Sequence, residues 1–148
     1  MAGYRTRPGQ APDSFVDSGR YYPKETGETM TFKDKRIILT GAAGGIGEAL
    51  AKQLAAEGAR LALADLNAEG LEPVAEACRG LGSEVLEIPT DVSDREQCQA
   101  LITQTAETWG GVDALFSSAG VSMWARFVDV TDISFFERLM AVNFSGRG

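Results

Sequence analysis

Residues 40–47 read T-G-A-A-G-G-I-G, a spacing suited to gripping an anion. Gly41, Gly45 and Gly47 follow an apolar run and open a helical pattern. A backbone without Cβ turns tightly off a strand and lets a phosphate approach closely, while the first N–H groups of the next helix have no carbonyl to bond. A phosphate there gains roughly 0.3–2 kcal/mol from the helix dipole. Asp65 ends the following apolar run, and its carboxylate can accept hydrogen bonds from both hydroxyls of a ribose. Turn, helix and acid in this order form the pattern of a dinucleotide-binding βαβ unit. The blander alternatives are a glycine-rich turn with no ligand and an Asp65 that merely ends a strand. A P-loop is excluded, because no Gly-Lys-Ser/Thr follows.

Two more polar residues stand out. Asp91 lies shortly before a helical segment, where it serves either a cofactor or a turn. Asn143 shares a stripe with Phe136, Leu139 and Met140, and an amide there is costly to bury unless it is hydrogen-bonded. What is missing also narrows the chemistry. The chain has no histidine, which removes a Ser-His-Asp triad, a Cys-His pair and a His-ligated zinc. Cys78 and Cys98 show no C-x-x-C spacing and read as reduced core thiols of a cytosolic protein.

The elements that must position these groups alternate. Ile37, Ile38 and Leu39 make a short continuous apolar run, as a parallel strand covered on both faces requires. A helix over about 45–57 follows, with Ile46, Ala49, Leu50 and Leu54 on its stripe and Gly58 as terminator. Residues 61–64 form a second strand. The helix after Asn67 carries Leu71, Val74, Ala75, Cys78 and Leu81, with Pro73 expected in its first turn. Residues 85–88 are a third strand. Ser93 and Glu96 have capping-box spacing ahead of a helix with Cys98, Leu101, Ile102, Thr105 and Trp109. Residues 114–116 are a fourth strand, and Ser134 with Glu137 repeats the capping-box spacing before the Asn143 helix. This alternation is that of the α/β class, a Rossmann-like doubly wound parallel sheet, here truncated after about four strands.

At 148 residues the chain holds one ordinary domain, not a nucleotide domain plus a substrate domain. Its net charge of −7 is uneven, with seven Lys/Arg against five Asp/Glu over 1–36 and seven against sixteen over 37–148. Such an acidic body disfavours nucleic acid. No apolar run approaches the ~20 residues of a membrane span. Residues 1–29 hold three of the five prolines and all three tyrosines, with almost no aliphatic side chain. They are expected to be a disordered extension, with 30–148 the folded part. The extension has no apolar h-region and carries acids, which argues against secretory and mitochondrial leaders and favours the cytoplasm.

The spacing T-G-x-x-x-G-x-G resembles that of the short-chain dehydrogenase/reductase family. Asp91-Val92 resembles the family's adenine-contacting Asp-Val, the segment L-F-S-S-A-G over 115–120 its N-N-A-G, and Val142-Asn143 its helix asparagine. The likeness covers about residues 32–146. It implies an oxidoreductase that interconverts an alcohol and a carbonyl with a nicotinamide cofactor, and a homo-oligomeric parent. Gly41, Gly45, Ile46 and Gly47 would hold the pyrophosphate, Asp65 the adenosine ribose, and Asp91 and Val92 the adenine, with Thr40, Gly44, Leu66 and Ser118 also counted among the cofactor-binding residues. Ala119 and Gly120 would pass under the nicotinamide ribose, and Asn143 would hold a water in a proton relay. With no Lys or Arg at Gly44 or Leu66, the resemblance favours NAD over NADP. The loop 121–127 is similar to that of members acting on steroids or other bulky apolar alcohols.

Three departures qualify the resemblance. Ser117-Ser118 replaces paired asparagines, so hydroxyls are expected to bridge the strand ends. Ala43 stands where many members have a phosphate-contacting serine. The family's acid/base pair, a tyrosine with a lysine four residues later, is missing: Pro8, Glu25 and Thr26 lie four residues beyond Tyr4, Tyr21 and Tyr22. The expectation is therefore the cofactor-binding half of a dehydrogenase, inactive by itself. The alternative is a non-catalytic module that binds a nucleotide or a partner.

Overall fold

The structure is a computed structural model and describes residues 14–17, 20–23, 31–122, 124 and 126–144. The chain divides into two units, residues 1–31 and 32–148. In the first, β1 (Ser14–Asp17) and β2 (Arg20–Pro23) pair antiparallel, with Ser14 opposite Pro23 and Asp17 opposite Arg20. A disordered 1–29 had been expected; this strand pair lies inside it, and the rest of that segment lies outside the described residues.

The second unit carries β3 (Arg36–Thr40), α1 (Gly45–Ala56), β4 (Arg60–Ala64), α2 (Ala68–Gly80), β5 (Val85–Glu87), α3 (Arg95–Trp109), β6 (Ala114–Ser117), a single 3-10 turn (Phe127–Asp129) and α4 (Ser134–Asn143). The four strands form one parallel sheet in the order β5-β4-β3-β6. Register places Thr40 beside both Ala64 and Ser117, so the residues that follow three strands emerge at one end of the sheet. That is where ligands bind in open α/β sheets.

Alternating side chains build two cores. Ile37, Leu39, Leu61 and Leu63 face α1 and α2, packing with Leu54, Leu71, Val74 and Cys78. Ile38, Ala62, Ala64, Ile88 and Leu101 form the other core, on the α3 side, where Leu86, Trp109 and Val112 pack against it. Helices on both faces explain why the strands read as unbroken apolar runs. Phe32 meets Phe116 edge to face, ring centres 6.1 Å apart, a favoured aromatic geometry. At the opposite sheet end from the glycine turn, Arg36 grips Asp113 with two guanidinium N–H bonds of 2.7 and 2.9 Å, and its backbone N–H reaches the same carboxylate at 2.8 Å.

Several helical details differ from expectation. In α1 the buried residues are Gly47, Ala51, Leu54 and Ala55, while Ile46 is 81% exposed. Small side chains sit where the helix lies close to the sheet, and the bulkier Ile46 turns outward. Pro73 is the sixth residue of α2, past the first turn. It sits on the exposed face, where water can serve the carbonyl that lacks its N–H partner. Leu81 is the C-cap rather than a core residue and is half exposed. The cap of α3 is Asp94, not Ser93: its carboxylate accepts from the N–H groups of Glu96 and Gln97, and the Gln97 amide donates back to it. Before α4, Ser134 is the first helical residue and Asp132 accepts its N–H, so the Ser134–Glu137 box does not form. Met140 on that helix is half exposed.

Candidate functional site

A cleft of about 380 Å³ opens at the C-terminal ends of the strands. It is lined by the glycine turn through Gly41, Gly44, Ile46 and Gly47, by Asp65 and Leu66 after β4, and by Asp91 and Val92 after β5. Ser118, Ala119 and Gly120 after β6 complete it, with Val121 and Val142. Of the residues singled out from sequence for a cofactor, all but Thr40 and Gly45 line this one cleft. Val121 and Val142 join the lining, although the sequence pointed to them only as neighbours of the 118–120 segment and of Asn143.

The turn needs its glycines for specific contacts. Gly41 has φ +70°, and a Cβ there would lie 2.6 Å from the Ala119 nitrogen. A Cβ on Gly47 would collide with the Gly41 carbonyl. These two residues let the turn close against β6 and let α1 start immediately behind it. Gly44 is different: its backbone is extended and a Cβ would meet nothing within 4 Å, so the space beside it is open cleft. The N-terminus of α1 also lacks a side-chain cap, whereas Asn67 caps α2 and Asp94 caps α3. Uncapped N–H groups facing a cleft are suited to an anion.

Asp65 is oriented from two sides. Its Oδ2 accepts the N–H of Ala43 at 3.0 Å and its Oδ1 the N–H of Asn67 at 2.9 Å. Each oxygen keeps a lone pair for a further donor. Sequence reading missed the Ala43 contact, since a backbone donor leaves no trace in residue type. Leu66 beside it is uncharged and 74% exposed.

The remaining candidates have defined local bonds. Asp91 Oδ1 accepts from the Ser93 N–H at 2.8 Å and the Ser93 hydroxyl at 2.6 Å, while the Asp91 N–H donates to Gln97. That is a turn-residue pattern, within a residue that also lines the cleft. The strand ends are bridged by Thr40, whose hydroxyl accepts the Ala119 N–H at 3.3 Å. Among the described residues no hydrogen bond from the Ser117 or Ser118 hydroxyl does this, contrary to expectation. Asn143 holds the Val121 peptide with both ends of its amide, at 2.9 and 2.8 Å, which gives its place on the α4 stripe a structural reason.

A second cleft of about 360 Å³ lies between β6 and α3, lined by Ile38, Cys98, Leu101, Ile102 and Leu115 among others. Burial, reinforced by the nearby Asp94 and Asp91 charges, pushes the Cys98 thiol up, and burial does the same at Cys78. Neither is in a disulfide, and a raised pKa keeps each in the protonated form. Among the described residues no His/Cys/Asp/Glu group could hold a metal, and no helix is long and apolar enough to cross a membrane.

Comparison with known proteins assigns the family. The short chain dehydrogenase model matches residues 35–147. The chain belongs to the short-chain dehydrogenase/reductase family. Within it, the chain is 42% identical over 113 residues to an 11-beta-hydroxysteroid dehydrogenase-like 2 of Arabidopsis thaliana, covering 76% of this chain and 37% of that one. A short-chain type dehydrogenase/reductase from Mycobacterium marinum superposes with TM-score 0.75 at 30% identity, covering 78% of this chain and 47% of the other. A Burkholderia phymatum member solved in complex with NAD gives TM-score 0.74 at 32% identity, covering 80% and 42%. The chain thus spans less than half the length of these relatives.

Proposed function

We propose that the chain is the NAD-binding part of a cytoplasmic, homo-oligomeric oxidoreductase that interconverts an alcohol and a carbonyl on a small molecule. The observation that carries this is the cleft at the strand ends beside the glycine turn. It brings the glycine turn, Asp65, Asp91 and the 118–120 segment together around an uncapped helix N-terminus. The residues present fit a dinucleotide. Gly44 has open cleft beside it, because Gly41 and Gly47 let the turn pack tightly against the backbone at Ala119 and at the start of α1, and the first N–H groups of α1, from Gly45 onward, offer donors to a pyrophosphate. Asp65, already oriented by Ala43 and Asn67, offers a lone pair to each ribose hydroxyl and repels a 2′-phosphate. This supports NAD over NADP, as does the uncharged Leu66.

The bound cofactor would accept or supply hydride. Asp91 and Val92 form the wall for the adenine, and Ser118, Ala119 and Gly120 the floor for the second ribose. Asn143 fixes that floor through Val121, and its second amide N–H remains for a relay water. No Tyr-x-x-x-Lys exists in the sequence, so the acid/base step falls to residues beyond this chain, which alone should bind and not turn over.

Calorimetry of the 148-residue chain with NADH tests this. Saturable binding at one site, tighter than for NADPH and without turnover on any alcohol, is the expected result. Absence of binding by a cooperatively folded chain overturns it. Sequencing the gene past the codon for Gly148 is expected to reveal a Tyr-x-x-x-Lys; its absence in every frame removes the oxidoreductase part.

A further inference from the structure

Gly70 lies in the first turn of α2, and glycine, a poor helix former, needs a reason there. The reason is spatial. A Cβ at position 70 would lie 2.9 Å from the Ala43 methyl and 2.7 Å from the Asn67 amide nitrogen. Asn67 is the far end of a side chain and can swing aside. The Ala43 methyl stands directly on the glycine turn and cannot move without it. Carbon pairs pack at roughly 3.5–4.0 Å, so the turn would have to shift by roughly 0.6–1.1 Å.

The consequence falls on Asp65. Four residues close a ring here: the Ala43 N–H bonds one carboxylate oxygen of Asp65, the Asn67 N–H bonds the other, the Asn67 side chain accepts the Gly70 N–H at 3.2 Å, and Gly70 abuts Ala43. We infer that Gly70 is a positioning residue for cofactor choice: by leaving space for Ala43 it holds the glycine turn at the distance that aims the Asp65 carboxylate. This deepens the reading of the cleft as an NAD site and rests on it. Loosening that aim costs NADH its paired ribose bonds. NADPH, which is repelled by the carboxylate, loses less.

The test titrates NADH and NADPH into four forms of the 148-residue chain, with a thermal melt of each. Gly70→Ala should lower the preference for NADH over NADPH at least fivefold. Gly70→Ala with Ala43→Gly, which removes the opposing methyl, should restore the preference to within twofold of the wild type. Gly80→Ala, also in α2 but with nothing within 4 Å of its Cβ, should leave the preference unchanged. A wild-type preference in Gly70→Ala overturns the inference, as does a double variant that fails to recover. If Gly70→Ala does not fold, the double variant decides: wild-type preference with a cooperative melt supports the inference, and any other result overturns it. A folded wild type that binds neither cofactor overturns the cleft assignment itself, and this inference with it.

Discussion

Asn143 turns its amide onto the peptide of Val121, accepting the N–H at 2.9 Å and donating to the carbonyl at 2.8 Å. The pair ties α4 to the segment that leaves β6, 22 residues earlier. Gly120 sits directly beneath: a Cβ there would be 3.2 Å from Asn143 Oδ1. The floor of the cleft is therefore fixed from α4 rather than from the sheet alone.

Asn143→Ala is expected to release that floor. Two neutral, partly solvated hydrogen bonds are lost, at a cost of about 1 kcal/mol. Hydrogen exchange at the Val121 amide should accelerate several-fold and NADH should bind a few-fold more weakly. Unchanged exchange would show that the segment is held by other contacts.

The glycine turn predicts opposite outcomes for two neighbouring glycines. Gly47→Ala puts a methyl into the Gly41 carbonyl, so α1 must part from the turn and the melting temperature should fall by several degrees. Gly44→Ala meets nothing within 4 Å and keeps an ordinary extended backbone, so its melt should match the wild type. If a pyrophosphate approaches here, NADH affinity should nonetheless drop at least tenfold. A Gly44→Ala chain that binds NADH normally would place the phosphates elsewhere.

How far these features were legible from sequence depends on their range. Ile37 to Leu39 announced a buried parallel strand, and the turn with Asp65 announced the cleft, because those signals are local. The α1 stripe was misjudged because the pattern favours large residues, while close helix-sheet contact selects Gly47, Ala51 and Ala55. Ser93 and Asp94 are adjacent and equally good caps; the choice fell to Asp94 because Gln97 reaches back to it. The contacts Ala43–Asp65, Asn143–Val121 and Arg36–Asp113 span 22, 22 and 77 residues. Nothing in residue spacing encodes them, since they exist only once the strands are aligned.

Cofactor preference follows from Asp65 and its exposed neighbour. Asp65→Ala with Leu66→Arg removes the repulsion of a 2′-phosphate and supplies a guanidinium suited to it. A charge-assisted contact contributes roughly 1.5–3 kcal/mol, so the NADH-to-NADPH affinity ratio should shift at least tenfold toward NADPH. Paired titrations read this directly, and a ratio that does not move would remove Asp65 from the ribose site.

The Arg36–Asp113 pair predicts a response to acid. Hydrogen bonds from the Arg36 guanidinium and backbone, aided by its charge, hold the Asp113 carboxyl well below the usual carboxylate range. A depressed carboxyl stabilises the fold fully above its unfolded pKa of ~4, and that stabilisation is lost as pH falls toward the folded value. Asp113→Asn should therefore melt lower than wild type at neutral pH, with the difference shrinking as pH drops below ~4. A difference that is constant with pH would mean that the charge pair contributes nothing specific.

The outer side of β6 is the last relationship with a measurable consequence. Among the described residues β6 ends the sheet order on one side. Leu115 on it is 60% exposed and shares the second cleft with Ile102, itself 47% exposed. An edge strand with free N–H and C=O groups beside exposed apolar side chains is a template for pairing with another chain. The 148-residue chain is therefore expected to self-associate at micromolar concentration and to bind a hydrophobic dye. Leu115→Lys places a charge on that edge and should shift sedimentation toward monomer while reducing dye binding. A wild-type chain that sediments as a single monomer without binding dye would show that the edge is closed in solution. A Leu115→Lys chain that associates as strongly as wild type would move the contact to another face, such as the exposed Met140 on α4 with Ile133 and Phe144 at its two ends.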